Sequence, residues 1–514
     1  MDAKVRRTWT WSTAALAIVA VCLAPFALVD VPAVLDYPNH LARFYVLAHP
    51  DDPILSTMYA PHWAILPNVG LDPIGQALLR LLPTYVGGRV LLALSLLAPV
   101  AGAVVYARSA FGRWTWWSLG GGVIAFNGIF FLGFMNFLVG LGLALAGAAG
   151  WRALRRRGWD TAAALFGAVV GLCVFFCHLL GYGFFALLIG SAEVEAMWRQ
   201  RREGRFSWRG ALRPARLLAL AFGPAAILYV ATHRPVAHGD FLVWRWAAKL
   251  VQWMIPFMTY ATAVTAATAA IICGLAVLLW RKAERAEGAT LALAVLGVLY
   301  LIAPFAAAGG TFVDSRLPLM AALLLFAGLA PQPSPRAGAA IAVLFGVLIV
   351  GRAGLVAAAW DGRARDLADL RAELTYVRPG AKVLPAQTEF LSGQEGTRGR
   401  GLPNFSRMDD HLIAVALIER HAFWPLLFAD ASQQSVIVRP PYDQLAQPLG
   451  ETAPWRCLFD QPPTSADLAQ YPYLADWRAR FDYVLLLGPP PAWTPPSLTL
   501  VRSADAVSLY RVAR

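Results

Sequence analysis

The stretch "DYPNHLAR" sets an acid, an imidazole and a guanidinium close together, as Asp36, His40 and Arg43. It follows an apolar run long enough to cross a bilayer, and an anchor alone has no use for this trio just past its exit. A carboxylate there is partly desolvated, which tunes it toward base chemistry. If "PNHLARF" is helical, Asn39 and Arg43 share a face, and His40 lies about 100° round. Asp36 also has a reading without chemistry, as the cap of that helix with Pro38 in the first turn. Residues 30–85 add Asp30, Asp51, Asp52, Asp72, His49 and His62, the densest set of outward-facing titratable groups expected in the membrane part of the chain. "PNHLARFYVLAHP" and "DPIGQALLRLLP" read as short amphipathic helices lying at a membrane interface.

Further candidates are scattered. "FNGIFFLGFMNFLVGLGLAL" places Asn127 and Asn136 in a Gly-rich hairpin, where small residues favour close helix packing and Asn136 is a candidate donor to a sugar or phosphate. "CVFFCHLLGYGFF" puts His178 and Tyr182 at a turn, as polar contacts for a substrate. Cys173 and Cys177 share a face, but His178 points elsewhere and no fourth ligand is apparent, so no metal site is read there. The segment 233–253 carries His233, Arg234, His238, Asp240, Arg245 and Lys249. It reads as an interface anchor or as a wall where cations meet a lipid-linked phosphate. Arg316 opens an apolar helix beside Asp314 and Ser315, which allows either an Arg316–Asp314 ion pair or an anion contact.

The elements that must position these groups are mostly apolar helices. The chain has 514 residues, 58% hydrophobic and 15% charged, far from the balance of a soluble domain. Its net charge of +13 lies in short basic clusters between apolar runs, a pattern of membrane orientation and not of nucleic-acid binding. A span takes about 20 apolar residues, and about eleven stretches qualify: 10–29, 86–107, 115–133, 135–151, 160–177, 180–197, 214–232, 258–280, 288–306, 316–330 and 337–356. The first could serve as a cleaved signal, yet the number of later spans favours an uncleaved anchor. Five separate cysteines imply no disulfide framework. The Lys/Arg bias puts the N-terminus inside, and the first loop and the tail outside. The tail, from about 360, mixes "DGRARDLADLRAEL" and "DDHLIAVALIERHAFWPLLFAD" with strand-like "AKVLPA", "SVIVRPP", "DYVLLLG", "LTLV" and "VSLYRV", which predicts a small α/β domain.

The fold class expected is thus a polytopic α-helical membrane protein with a small extracytoplasmic α/β domain, divided as 1–359 and 360–514. This plan, with an acid just after the first span, resembles the GT-C superfamily of integral membrane glycosyltransferases. "DYPNHLAR" is similar to a D-x-P-x-H pattern in bacterial members, and "VDSRLPLMAALLLFAGLA" is similar to a late helix start whose basic residue meets a lipid phosphate. The resemblance implies transfer of a sugar from a polyprenyl-phosphate donor to a glycan or lipid acceptor at the outer face of a bacterial inner membrane. It implies Asp36 as base and Arg316 as phosphate contact. Around these, His40 and Asp72 are the other catalytic candidates, Arg43 and Arg245 the other phosphate candidates, and Asn136, His178, Tyr182 and Asp314 the substrate contacts. Many members carry a paired-acid motif for a divalent metal; here "VLDYP" holds one acid, so no metal ligands are assigned, and Asp72 and Asp314 are the available second acids. A transporter or a non-catalytic envelope scaffold are the competing expectations. Clustering of polar groups toward one face, and not at mid-span, speaks against the transporter.

Overall fold

The computed structural model describes residues 3–232, 242–307, 309–388, 397–402, 407–459 and 463–513. Among them, eight helices are long and apolar enough to cross a membrane: Thr10–Ala27, Thr84–Phe111, Met135–Arg156, Asp160–Cys177, Leu179–Arg202, Gly210–Thr232, Thr262–Lys282 and Pro335–Leu374. Three of the expected spans are different in kind. The stretch 115–133 is not one helix but Trp116–Leu119, a 3-10 turn at Gly120–Ile124 and Gly128–Leu132. Three successive glycines weaken the helix there, and Asn127 restarts it by accepting from the Phe130 amide at 3.0 Å. Ala289–Ile302 and Arg316–Gly328 are single helices of 14 and 13 residues. At 1.5 Å per residue each covers about 20 Å, short of a hydrocarbon core of about 30 Å.

Close packing sits where the glycines predict it. A side chain at Gly142 would lie 2.4 Å from the carbonyl of Ala98, and one at Gly102 would lie 2.5 Å from that of Gly142. The helices Met135–Arg156 and Thr84–Phe111 therefore touch backbone to backbone, the approach that dispersion alone can hold in lipid.

The last long helix, Pro335–Leu374, runs for 40 residues, about 60 Å, and passes without interruption through the expected boundary near 360. "DGRARDLADLRAEL" is its final part. Beyond it lies a five-stranded sheet. Numbering strands along the chain, β1 is Tyr59–Pro61, β2 Ala283–Arg285, β3 Leu329–Pro331, β4 Val383–Gln387, β5 Val436–Val438, β6 Ala453–Pro454, β7 Tyr483–Leu487, β8 Leu498–Ser503 and β9 Val507–Val512. The sheet order is β6-β4-β7-β9-β8. β4 runs parallel to β6 and β7, whereas β9 is antiparallel to β7 and β8. All five residues of β7 are buried, as a central strand covered on both faces requires.

Two expectations for the tail change. "SVIVRPP" forms β5, but its partner is β1 in the first loop, with Tyr59 opposite Val438 and Pro61 opposite Val436. Within "DDHLIAVALIERHAFWPLLFAD" only Leu412–Arg420 is helical, and the rest is irregular chain laid against the first loop. This stitching is polar as well as apolar. The Tyr59 hydroxyl bonds both the amide and the carbonyl of Trp424, at 3.0 and 3.1 Å. Asn39 donates to the Leu426 carbonyl at 2.9 Å and accepts from the Trp424 indole at 2.8 Å.

Candidate active site

Asp36 precedes the helix Tyr37–Ala48, yet its side chain makes no cap hydrogen bond. The capping reading fails, and the carboxylate is left for other work. What holds the residue is its backbone: the Asp36 amide bonds the Leu132 carbonyl at 3.2 Å, and that of Leu35 bonds Phe131 at 2.8 Å. The chain opposite turns at Gly133, with φ +89°, where a Cβ would lie 2.8 Å from the Cβ of Asp36. Only glycine meets both demands, the left-handed backbone and the close approach.

The next residue, Phe134, carries the cation. The Arg316 guanidinium lies over its ring at 4.4 Å and over that of Phe137 at 5.6 Å. Arg316 is only 8% exposed, its Nε is buried without a hydrogen-bond partner, and no ion pair forms at it among the described residues. Asp36 is the carboxylate whose charge acts on it. The expected alternative, a pair with Asp314, does not form: Asp314 is fully buried against Lys249, with Nζ at 3.0 Å. Lys249 also donates to the carbonyls of Tyr300 and Ala303, both at 2.8 Å. Asp314 is thus spent on holding the helix Lys249–Gln252, not on a substrate.

An aromatic row continues from Arg316. Phe134 meets Phe312 at 6.2 Å, Phe312 meets Phe305 at 4.9 Å, and Arg245 caps the row 4.0 Å above Phe305. Phe312 has φ +57°, a conformation that costs a side chain about 1–2 kcal/mol. Cations over the rings at both ends of the row gain from the ring quadrupoles. Arg245 is exposed, so its charge is open to solvent or lipid.

The other sequence candidates fall elsewhere. Arg43 and Asp72 form an ion pair at 2.7 Å with both side chains fully buried. Gln434 takes a further hydrogen of Arg43, and Ser435 donates to the second oxygen of Asp72. Every face of that couple is occupied by protein. His40 is buried, stacked edge-on to Phe428 at 5.3 Å. Burial, with Arg43 and His411 nearby, holds its imidazole well below the ordinary range, so it stays neutral. Asn136 accepts from the Leu71 amide at 2.9 Å and donates to the Asn68 carbonyl at 2.8 Å, fixing the first loop. Tyr182 donates to the Phe222 carbonyl at 2.7 Å. His178 accepts from the Leu180 amide at 3.0 Å as a helix cap, and its ring packs 5.2 Å from Phe137, beside Arg316. His233, Arg234, His238 and Asp240 lie outside the described residues.

One member of the cluster went unread in the sequence. His411 Nδ1 lies 3.2 Å from Asp36 Oδ1. The contact has ion-pair distance without hydrogen-bond alignment, so Nδ1 counts as unpartnered. The only local signal was "DDH", three polar residues ahead of an apolar run, which equally marks a helix start. No group of three or more His, Cys, Asp or Glu is arranged for a divalent metal among the described residues, and both candidate second acids are tied to cations. The structure thus joins three distant parts of the chain, at Asp36, Arg316 and His411. A comparison with protein-family models finds no match for this chain, nor does one with curated proteins.

Proposed function

We propose that the protein is a membrane glycosyltransferase of the GT-C type, which moves a sugar from a polyprenyl-phosphate donor to a glycan or lipid acceptor. The observation that carries this reading is the uncapped Asp36 carboxylate set beside a buried arginine that forms no ion pair among the described residues. A buried cation without a counter-ion is costly, and an anionic ligand supplies what is missing.

In the step envisaged, Asp36 removes the proton of an acceptor hydroxyl as that oxygen bonds to the anomeric carbon. The bond from the anomeric carbon to the phosphate oxygen breaks, and its electron pair leaves on the phosphate. Arg316 steadies that charge. The row from Phe134 to Phe305, ending on Arg245, offers an apolar surface for the isoprenoid next to a second cation. The eight long apolar helices support a membrane location. The Lys/Arg bias of the loops supports an inner membrane with the site facing outward.

The test compares envelope lipids and glycans by mass spectrometry in cells lacking the protein and complemented with wild type or Asp36→Asn. A sugar-sized mass that returns with wild type and falls at least about a hundredfold with D36N is expected, as for loss of a general base. Full restoration by D36N would sink the assignment.

A further inference from the structure

His411 lies in the tail, before the 3-10 turn Leu412–Ala414 that leads into Val415–Arg420. This segment is fixed onto the first loop by the β1–β5 pairing and by the Asn39 and Tyr59 hydrogen bonds to Trp424 and Leu426. The imidazole is thereby placed, and not merely near: its ring stands edge-on to Phe428 at 5.3 Å, with His40 on the same phenyl ring. Of its neighbouring acids, Asp409 is held by two bonds from Arg407, each 2.9 Å, while Asp410 lies 3.8 Å from the same guanidinium with its Oδ1 free of hydrogen bonds. Among the described residues Nδ1 has one carboxylate within ion-pair distance, that of Asp36, and both side chains keep slight exposure, 12% and 15%.

We propose that His411 is the positioning residue of Asp36, a role that rests on the sugar-transfer reading. An Nδ1–H brought onto Oδ1 turns the carboxylate, leaving Oδ2 to take the acceptor proton. The near-contact tightens when substrate closes the site, as catalytic hydrogen bonds commonly do. By this device the tail completes the site, and a chain lacking it keeps the acid but not its orientation.

Two measurements test this on the full chain. In nanodiscs, with 15N-labelled histidine, the Nδ1 resonance of His411 is assigned by its loss in H411N. At one fixed pH it is expected to move in D36N and to stay in place in D51N, a control on an exposed acid of the same loop. No movement in D36N overturns the pairing, whatever the protein does. In complemented cells, H411L is expected to lower the sugar-dependent mass about a hundredfold, the low end for handling a proton in the transition state. H411N, whose amide nitrogen replaces Nδ1, is expected to recover most of it. A packing role predicts the reverse order, since leucine fills the space against Phe428 better than asparagine. Equal activity of H411L and wild type overturns the role. If wild type restores no sugar mass, the transfer reading fails and the resonance alone decides the pairing.

Discussion

Two acid–arginine couples draw on one short helix, one through Asp36 just before its start and one through Arg43 at its middle, and they are opposites in chemistry. Arg43 and Asp72 meet at 2.7 Å with nothing exposed, and glutamine and serine bond them further, so that Arg43 Nε alone lacks a hydrogen bond. Arg316 and Asp36 influence each other without touching as a pair, and the guanidinium rests on phenyl rings with its Nε unsatisfied. The first couple is closed to a ligand by its direct ion pair and full burial, and serves to lock the first loop to the tail. The second is incomplete without an anion. Composition cannot tell them apart, since each is one Asp and one Arg; the number of satisfied hydrogen-bond sites does.

That contrast can be broken experimentally. The largest expected effect is on activity: Arg316→Met should cut sugar transfer about a hundredfold or more, as for loss of a preorganised charge contact. Its melting temperature should hold or rise, because the residue removed is a buried charge without a partner. A fall of many degrees with retained transfer would make Arg316 structural. Next, Arg43→Met should destabilise the fold by about 3–5 kcal/mol, leaving Asp72 charged and unpaired in the interior. Thermal unfolding in detergent reads this directly, and an unchanged midpoint would show that the couple is not the lock.

A smaller effect concerns the tail next to His411. Burial, and then the neighbouring Asp409, push the Asp410 carboxyl up to about 7. The folded chain thus keeps a proton that the unfolded chain gives up near pH 4. Stability from this group is full below about pH 4 and is lost as pH rises through about 7. Asp410→Asn carries no such proton, so its melting temperature should overtake that of wild type between pH 5 and pH 8. Parallel curves across that window would remove Asp410 from the account.

Much of the architecture was legible along the chain. Apolar runs, Gly-rich contacts at Gly102 and Gly142, and the strands β4, β7, β8 and β9 all show local periodicity, and local patterns are what sequence carries. Asp36 was legible for the same reason, as an acid out of place just after an apolar run. The breaks in 115–133 were missed because hydropathy counts side chains and not the backbone cost of Gly120–Gly122. The strand at Val436 was visible as a strand, but its partner was not, since an isolated edge carries no address. His411 looked like part of a helix start.

What the sequence determined by itself, then, is the set of apolar helices, the sheet-forming tail and the position of one unusual acid. Each follows from spacing between near neighbours, which the chain cannot alter by folding. Only the tertiary structure decided which charges meet. Asp72 chose Arg43, Asp314 chose Lys249, and His411 came to Asp36, leaving Arg316 without an ion pair among the described residues. Coulomb attraction is blind to sequence separation, so those choices were made by the packing that brought distant segments together.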